Sequence, residues 1–128
     1  MEKDILRSLE AYFRSLKQPS RIIDNVLVVR YDLEGKTYPV SIEKDDALGL
    51  IRFNIMSDIT VSRQQTFSLM KKNFFIWGGK LGVDPEGFLF ASMEVPLKCI
   101  GSLGLSWVKD SLDSLIKIFQ EGARALST

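Results

Sequence analysis

The sequence predicts an α+β domain, an antiparallel sheet of about five strands with three helices in the order α-β-β-β-α-β-β-α. Three observations predict it. Helical periodicity marks a segment near each end and one in the middle, and the strand-like runs between them are joined by turns suited to hairpins. The stretch Asn73–Phe90 then fixes the centre of the topology: an aromatic-rich helix ends at Gly78-Gly79, and a hairpin follows at once. Its turn, Asp84-Pro85-Glu86-Gly87, has Pro at the second position and Gly at the fourth. Hairpin connections favour this arrangement over a doubly wound parallel sheet.

The first helix spans residues 3–17. Ile5, Leu6, Leu9, Tyr12, Phe13 and Leu16 share one face, and Lys3, Arg7, Glu10, Arg14 and Lys17 share the other. Pro19 bars continuation, so Gln18-Pro19-Ser20 opens a loop. Two strands follow, Val26–Asp32 and Lys36–Glu43, with Leu33-Glu34-Gly35 as the turn between them. Pro39 cannot donate to a ladder, which places the second strand at a sheet edge or marks an irregularity. In the third run, Leu48–Met56, Gly49, Ile51, Phe53 and Ile55 face the core, and Leu48, Leu50, Arg52, Asn54 and Met56 face the other way.

The second helix starts near Ser62, where Gln65 completes a capping box. Phe67, Met70, Phe74 and Trp77 form a broad apolar stripe, with Leu69 and Ile76 off it and Asn73 between the two. Such a helix is expected to be buried by more than one surface. After the hairpin strands Leu81–Val83 and Phe88–Val95, Pro96 ends the last strand. Residues 98–104 read as a loop, and the closing helix runs from about Ser106 to Leu126. Its core stripe is Leu105, Val108, Leu112, Leu115, Ile116, Phe119, Ala123 and Leu126.

Composition limits function. The 128 residues read as one domain covering 1–128, large enough to bury a core. With 17 basic and 16 acidic residues and no basic block, nothing suggests a nucleic-acid or membrane-surface footprint. The N-terminus lacks an apolar signal core and no run is long enough to span a bilayer, so a cytoplasmic location is expected. Without histidine, neither a Ser-His-Asp triad nor a His-containing zinc site can form. Cys99 is the single cysteine and reads as structural. Asp45-Asp46 lacks the donor spacing of a calcium loop, and Gly101-Ser102-Leu103-Gly104 lacks the spacing and lysine of a phosphate loop. No cofactor, no metal and no catalytic group is expected.

What remains is surplus apolar surface. On the last helix Trp107 and Ile118 lie off the core stripe, on a face shared with Ser111, Ser114 and the small Gly122. On the strands Leu48, Leu50 and Met56 lie opposite the core residues. Either the helices cover both faces within the molecule, or these residues meet a partner.

The order of elements and the second half resemble the type III secretion chaperone-like superfamily, particularly its YbjN-type branch. The resemblance is carried by Leu69-Met70-Lys71-Lys72-Asn73, by Lys80-Leu81-Gly82-Val83-Asp84, by Phe88–Leu97 and by the long closing helix. It implies a twisted antiparallel sheet packed by helices, in a small homodimer that binds an extended segment of a client protein along apolar patches or at a strand edge. The balanced charge differs from the strong acidity of many secretion chaperones and suits the YbjN-type branch. Read this way, the chain is a non-enzymatic protein-binding module, chaperone-like or regulatory. Trp107, Ser114 and Ile118 are the candidates for self-association, and Leu48, Leu50 and Met56 for client contact. The alternative is a small-molecule sensor whose pocket, between sheet and aromatic helix, is lined by Phe67, Phe74 and Trp77.

Overall fold

The computed structural model describes residues 5–74, 76 and 78–126. Its first helix, α1 (Ile5–Ser15), buries Leu9 and Phe13 completely. It ends where Lys17 turns left-handed (φ 62°), with Gln18 N–H bonded to Phe13 C=O and Lys17 N–H to Arg14 C=O, both at 2.9 Å. That is a Schellman closure with lysine in place of the usual glycine.

Among the described residues six strands follow, one more than the five or so expected, and all pair antiparallel in the order β1-β2-β3-β4-β6-β5. The extra strand is β1 (Ser20–Ile23), which pairs with β2 (Val26–Leu33). Asp24 and Asn25, both at positive φ (49° and 65°), make the two-residue hairpin turn between them. Glu34 (51°) and Gly35 (81°) repeat that turn before β3 (Lys36–Asp45). Pro39 does not lie on an edge strand, because β3 sits between β2 and β4 (Leu50–Thr60). Pairing of β3 with β4 begins only at Val40↔Ile55. The missing N–H of Pro39 therefore points at a side where no ladder has formed, which is how an interior strand accommodates it. Strand β4 starts at Leu50, so Leu48 belongs to the preceding turn, where its N–H bonds to Asp45 Oδ1 at 3.0 Å.

The capping box at Ser62 and Gln65 is formed, and helix α2 (Arg63–Asn73) follows it. Strands β5 (Lys80–Val83) and β6 (Phe88–Pro96) are joined by the Asp84–Gly87 turn, in which Asp84 Oδ1 accepts from the N–H groups of Glu86 (2.9 Å) and Phe88 (3.0 Å). The segment read as a loop is a short helix, α3 (Leu97–Leu103), which makes four helices among the described residues rather than three. Gly104 at φ 86° breaks it from α4 (Leu105–Leu126).

Burial alternates along β2 and over Leu50–Ile55 of β4. Leu27, Val29, Val40, Ile42, Ile51, Phe53, Ile55, Leu89 and Ala91 are fully buried on one sheet face. The helices pack on that face, with α1 over β1 to β3 and α4 over β4 to β6. From α4, Val108, Leu112, Leu115 and Phe119 close the core. Among the described residues the fold therefore has two layers, and the other sheet face carries no helix.

Candidate partner-binding surface

The uncovered face is built from the residues that alternate with the core. Strand β4 contributes Leu50, Arg52, Asn54 and Met56, and Met56 lies opposite Phe90 of β6. Arg52 sits at the middle, across from Glu43 on β3 and Glu94 on β6. Its guanidinium bonds to Glu94 at 2.8 Å and lies 3.9 Å from Glu43 and 4.0 Å from Asp45. The hydrogen bond to Glu94, with the charges of Glu94, Asp45 and Glu43, raises the Arg52 pKa further and keeps it protonated. In contact with water such a network adds little stability. Phe90 lays its ring over Gly82: a methyl on Gly82 would sit 2.6 Å from the ring, so the backbone there is open to an aromatic neighbour only because it is glycine.

The structure separates the six sequence-predicted contact residues. Leu50 and Met56 are on the uncovered face, and Leu48 is exposed in the turn beside it. Trp107, Ser114 and Ile118 are on α4, which packs against the opposite face. Trp107 and Ile118 are half-buried against the core, and Ile118 Cδ1 would lie 2.9 Å from a methyl on Gly79. The space above Gly122, expected to admit a partner, is taken up by Leu81 of the same chain. Of the α4 candidates only Ser114 is exposed, so the expected α4 surface is largely an internal contact.

A second surface was misread from the sequence. Phe67, Met70 and Phe74 on α2 are 60%, 63% and 84% exposed. The side of α2 that meets the sheet is the other one: Leu69 is buried, Ile76 packs against the core, and Asn73 bonds to the β5 backbone. Lys71 lies over the Phe67 ring at 4.8 Å. Phe67 and Phe74 therefore face outward and do not line a pocket between helix and sheet, and Trp77 lies outside the described residues. The available signal was Asn73, a polar residue between two apolar stripes that needs a buried backbone partner.

Among the described residues no three metal-ligating side chains come together and no helix is long and apolar enough to cross a membrane. Cys99, on α3, is half-buried and makes no disulfide.

No protein-family model and no curated protein matches the sequence. Solved structures do match over nearly the whole chain. A chain of the HopA1–SchA chaperone–effector complex is 16% identical, with a TM-score of 0.64 over 94% of this chain and 95% of that one. A chain of the complex between the Yersinia pestis type III secretion chaperone SycH and a fragment of YscM2 is 12% identical, with a TM-score of 0.63 over 91% and 98%. YbjN from E. coli is 14% identical, with a TM-score of 0.62 over 93% and 91%. The chain has the type III secretion chaperone-like fold, in the form shared with YbjN.

Proposed function

We propose that this chain is a non-enzymatic protein-binding module, chaperone-like or regulatory, that holds an extended segment of a partner protein and acts as a homodimer in the cytoplasm. The observation that carries the reading is the sheet face opposite the core, where Leu50 adjoins the charged centre at Arg52 and Met56 pairs with Phe90 further along the same face. Its support is the company the fold keeps, since two of the similar structures are chaperones bound to protein partners.

Self-association is better assigned to the exposed stripe of α2 than to Trp107, Ser114 and Ile118. The sequence led us to expect α2 to be buried on more than one side, and within one chain it is buried only on the Leu69 side. A second copy supplies the missing cover. Light scattering over a dilution series tests this: the wild type is a dimer, and the Phe67→Ser/Phe74→Ser variant is a monomer with an unchanged circular dichroism spectrum. A monomeric wild type, or a variant that stays dimeric, overturns the assignment. Partner binding is tested by co-purification with wild type and with Met56→Arg, which places a charge on the uncovered face. A partner retained equally by both argues against that face.

A further inference from the structure

Both edges of the sheet are already occupied by side chains, but to very different degrees. At the β5 edge Asn73 closes the backbone of Leu81 with two 2.7 Å bonds. At the other edge, Arg21 and Ile23 pair with β2 through Val28 and Val26, so Ser20 and Ile22 turn their backbone groups outward. Those groups meet α1. Glu10 Oε2 accepts from Ile22 N–H at 3.2 Å, and Arg14 Nε and Nη2 both approach Ser20 C=O at 3.4 Å. Glu10 and Arg14 are themselves paired at 3.3 Å. One acceptor and one donor, set to a C=O and an N–H two residues apart, take the positions that a residue of a neighbouring strand would use.

This latch is weak by construction. Its bonds lie at or beyond the long end of the hydrogen-bond range, and the Arg14 side chain is 62% exposed, where ion pairs contribute little. Beside it runs a cleft of about 390 Å³ lined by Arg14, Pro19, Arg21, Ile23, Val28 and Arg30. Three guanidiniums and no carboxylate line it, and among the described residues neither Arg21 nor Arg30 makes an ion pair. In a chain of net charge +1 this is a local concentration of positive charge next to an exposed isoleucine.

We propose that the outer edge of β1 is a gated docking site for an extended acidic segment of the partner, with apolar residues between the acidic ones. The segment's backbone replaces Glu10 and Arg14 at Ile22 and Ser20. Its carboxylates, on one face of the added strand, take Arg21 and Arg30 together with Arg14 once released from Glu10, and its apolar residues, on the other face, turn to Ile22 beside α1. The proposal rests on the protein-binding reading and specifies the chemistry of the segment and the contact that must open.

The test uses fluorescein-labelled decapeptides of alternating Val-Glu and alternating Val-Lys, with binding followed by anisotropy. The Val-Glu peptide binds and the Val-Lys peptide does not. Glu10→Ala, which removes the latch, tightens Val-Glu binding by about threefold to tenfold, in the range of one weak surface pair. Glu10→Gln keeps an acceptor for Ile22 but not the ion pair, and falls between. Arg21→Glu/Arg30→Glu weakens binding by about tenfold or more while its melting temperature confirms folding. Equal binding of both peptides, or affinities unmoved by the Glu10 and arginine variants, overturns the gated acidic site but leaves the protein-binding reading standing. If no peptide binds even to Glu10→Ala, the edge proposal falls. Loss of the co-purified partner and of the dimer as well would bring down the broader reading with it.

Discussion

The side-chain amide of Asn73 meets the backbone of Leu81 as a strand would: Nδ2 donates to the Leu81 C=O and the Leu81 N–H donates to Oδ1, both at 2.7 Å. One helix residue thereby closes the β5 edge and fixes α2 to the sheet. Asn73→Ala leaves a partly buried N–H and C=O unsatisfied, and a loss of about 2 kcal/mol is expected in urea unfolding. Asn73→Asp retains the acceptor but sets a carboxylate against the Leu81 carbonyl, so it is no milder. A variant as stable as wild type would show that water replaces the amide without cost.

Leu81 also fills the space above Gly122, where a methyl would lie 2.6 Å from Leu81 Cδ2. Gly122→Ala gains about 1 kcal/mol of helix propensity and meets overpacking of about 1–3 kcal/mol, so a net loss near 1 kcal/mol is expected. The two residues are coupled. In a double-mutant cycle with Leu81→Ala, the pair costs less than the sum of the single changes. Strict additivity would mean that Leu81 rotates away freely.

Tyr31 carries a buried hydroxyl with no hydrogen-bond partner among the described residues. Burial, with a smaller contribution from Asp113, raises its pKa well above the ordinary tyrosine value. Tyr31→Phe is expected to stabilise the protein by about 1 kcal/mol at neutral pH, since it deletes an unpaired polar group. Above about pH 10 the unfolded chain releases a tyrosine proton that the folded chain keeps, so wild-type stability falls with rising pH. The advantage of the variant therefore widens from pH 8 to about pH 10.5 in urea titrations. A constant gap would mean that the phenol ionises in the folded state as it does in water.

Lys72 on α2 reaches Glu121 on α4 at 3.1 Å, and its hydrogen bond lowers the Glu121 pKa, with Arg124 adding at 3.3 Å. A lowered carboxylate pKa stabilises the folded state above the ordinary glutamate value, and that contribution disappears as pH falls through the folded pKa. Glu121→Gln should therefore melt slightly below wild type at neutral pH, and the gap should close as the solution is acidified below the ordinary glutamate range. A deficit that persists in acid would assign Glu121 a packing role instead.

Most of the framework was legible where one residue type leaves few options. The alternation of Ile51, Phe53 and Ile55 with Arg52 and Asn54 identified both faces of β4, and Ser62 with Gln65 marked the start of α2. Strand β1 was missed because Pro19 suggested a loop and because the strand is only four residues long, although Asp24-Asn25 is a fair hairpin turn. Helix α3 was hidden by Gly101 and Gly104, of which only the second breaks a helix. The orientation of α2 was not legible from periodicity at all. Two apolar stripes compete on that helix, and the choice is made by Asn73 finding the β5 edge, a contact that exists only in three dimensions. The same holds for Glu10 and Arg14, which read as a solvated helix face until β1 comes alongside.

Because α1 and α4 pack on only one face of the central strands, those strands spell two messages in one line of text. Ile51, Phe53 and Ile55 decide whether the chain folds; Leu50, Arg52, Asn54 and Met56, interleaved with them, take no part in the fully buried core. Natural variation or a laboratory library can rewrite the second set while leaving the first intact, so the same architecture can change what it recognises without having to relearn how to fold.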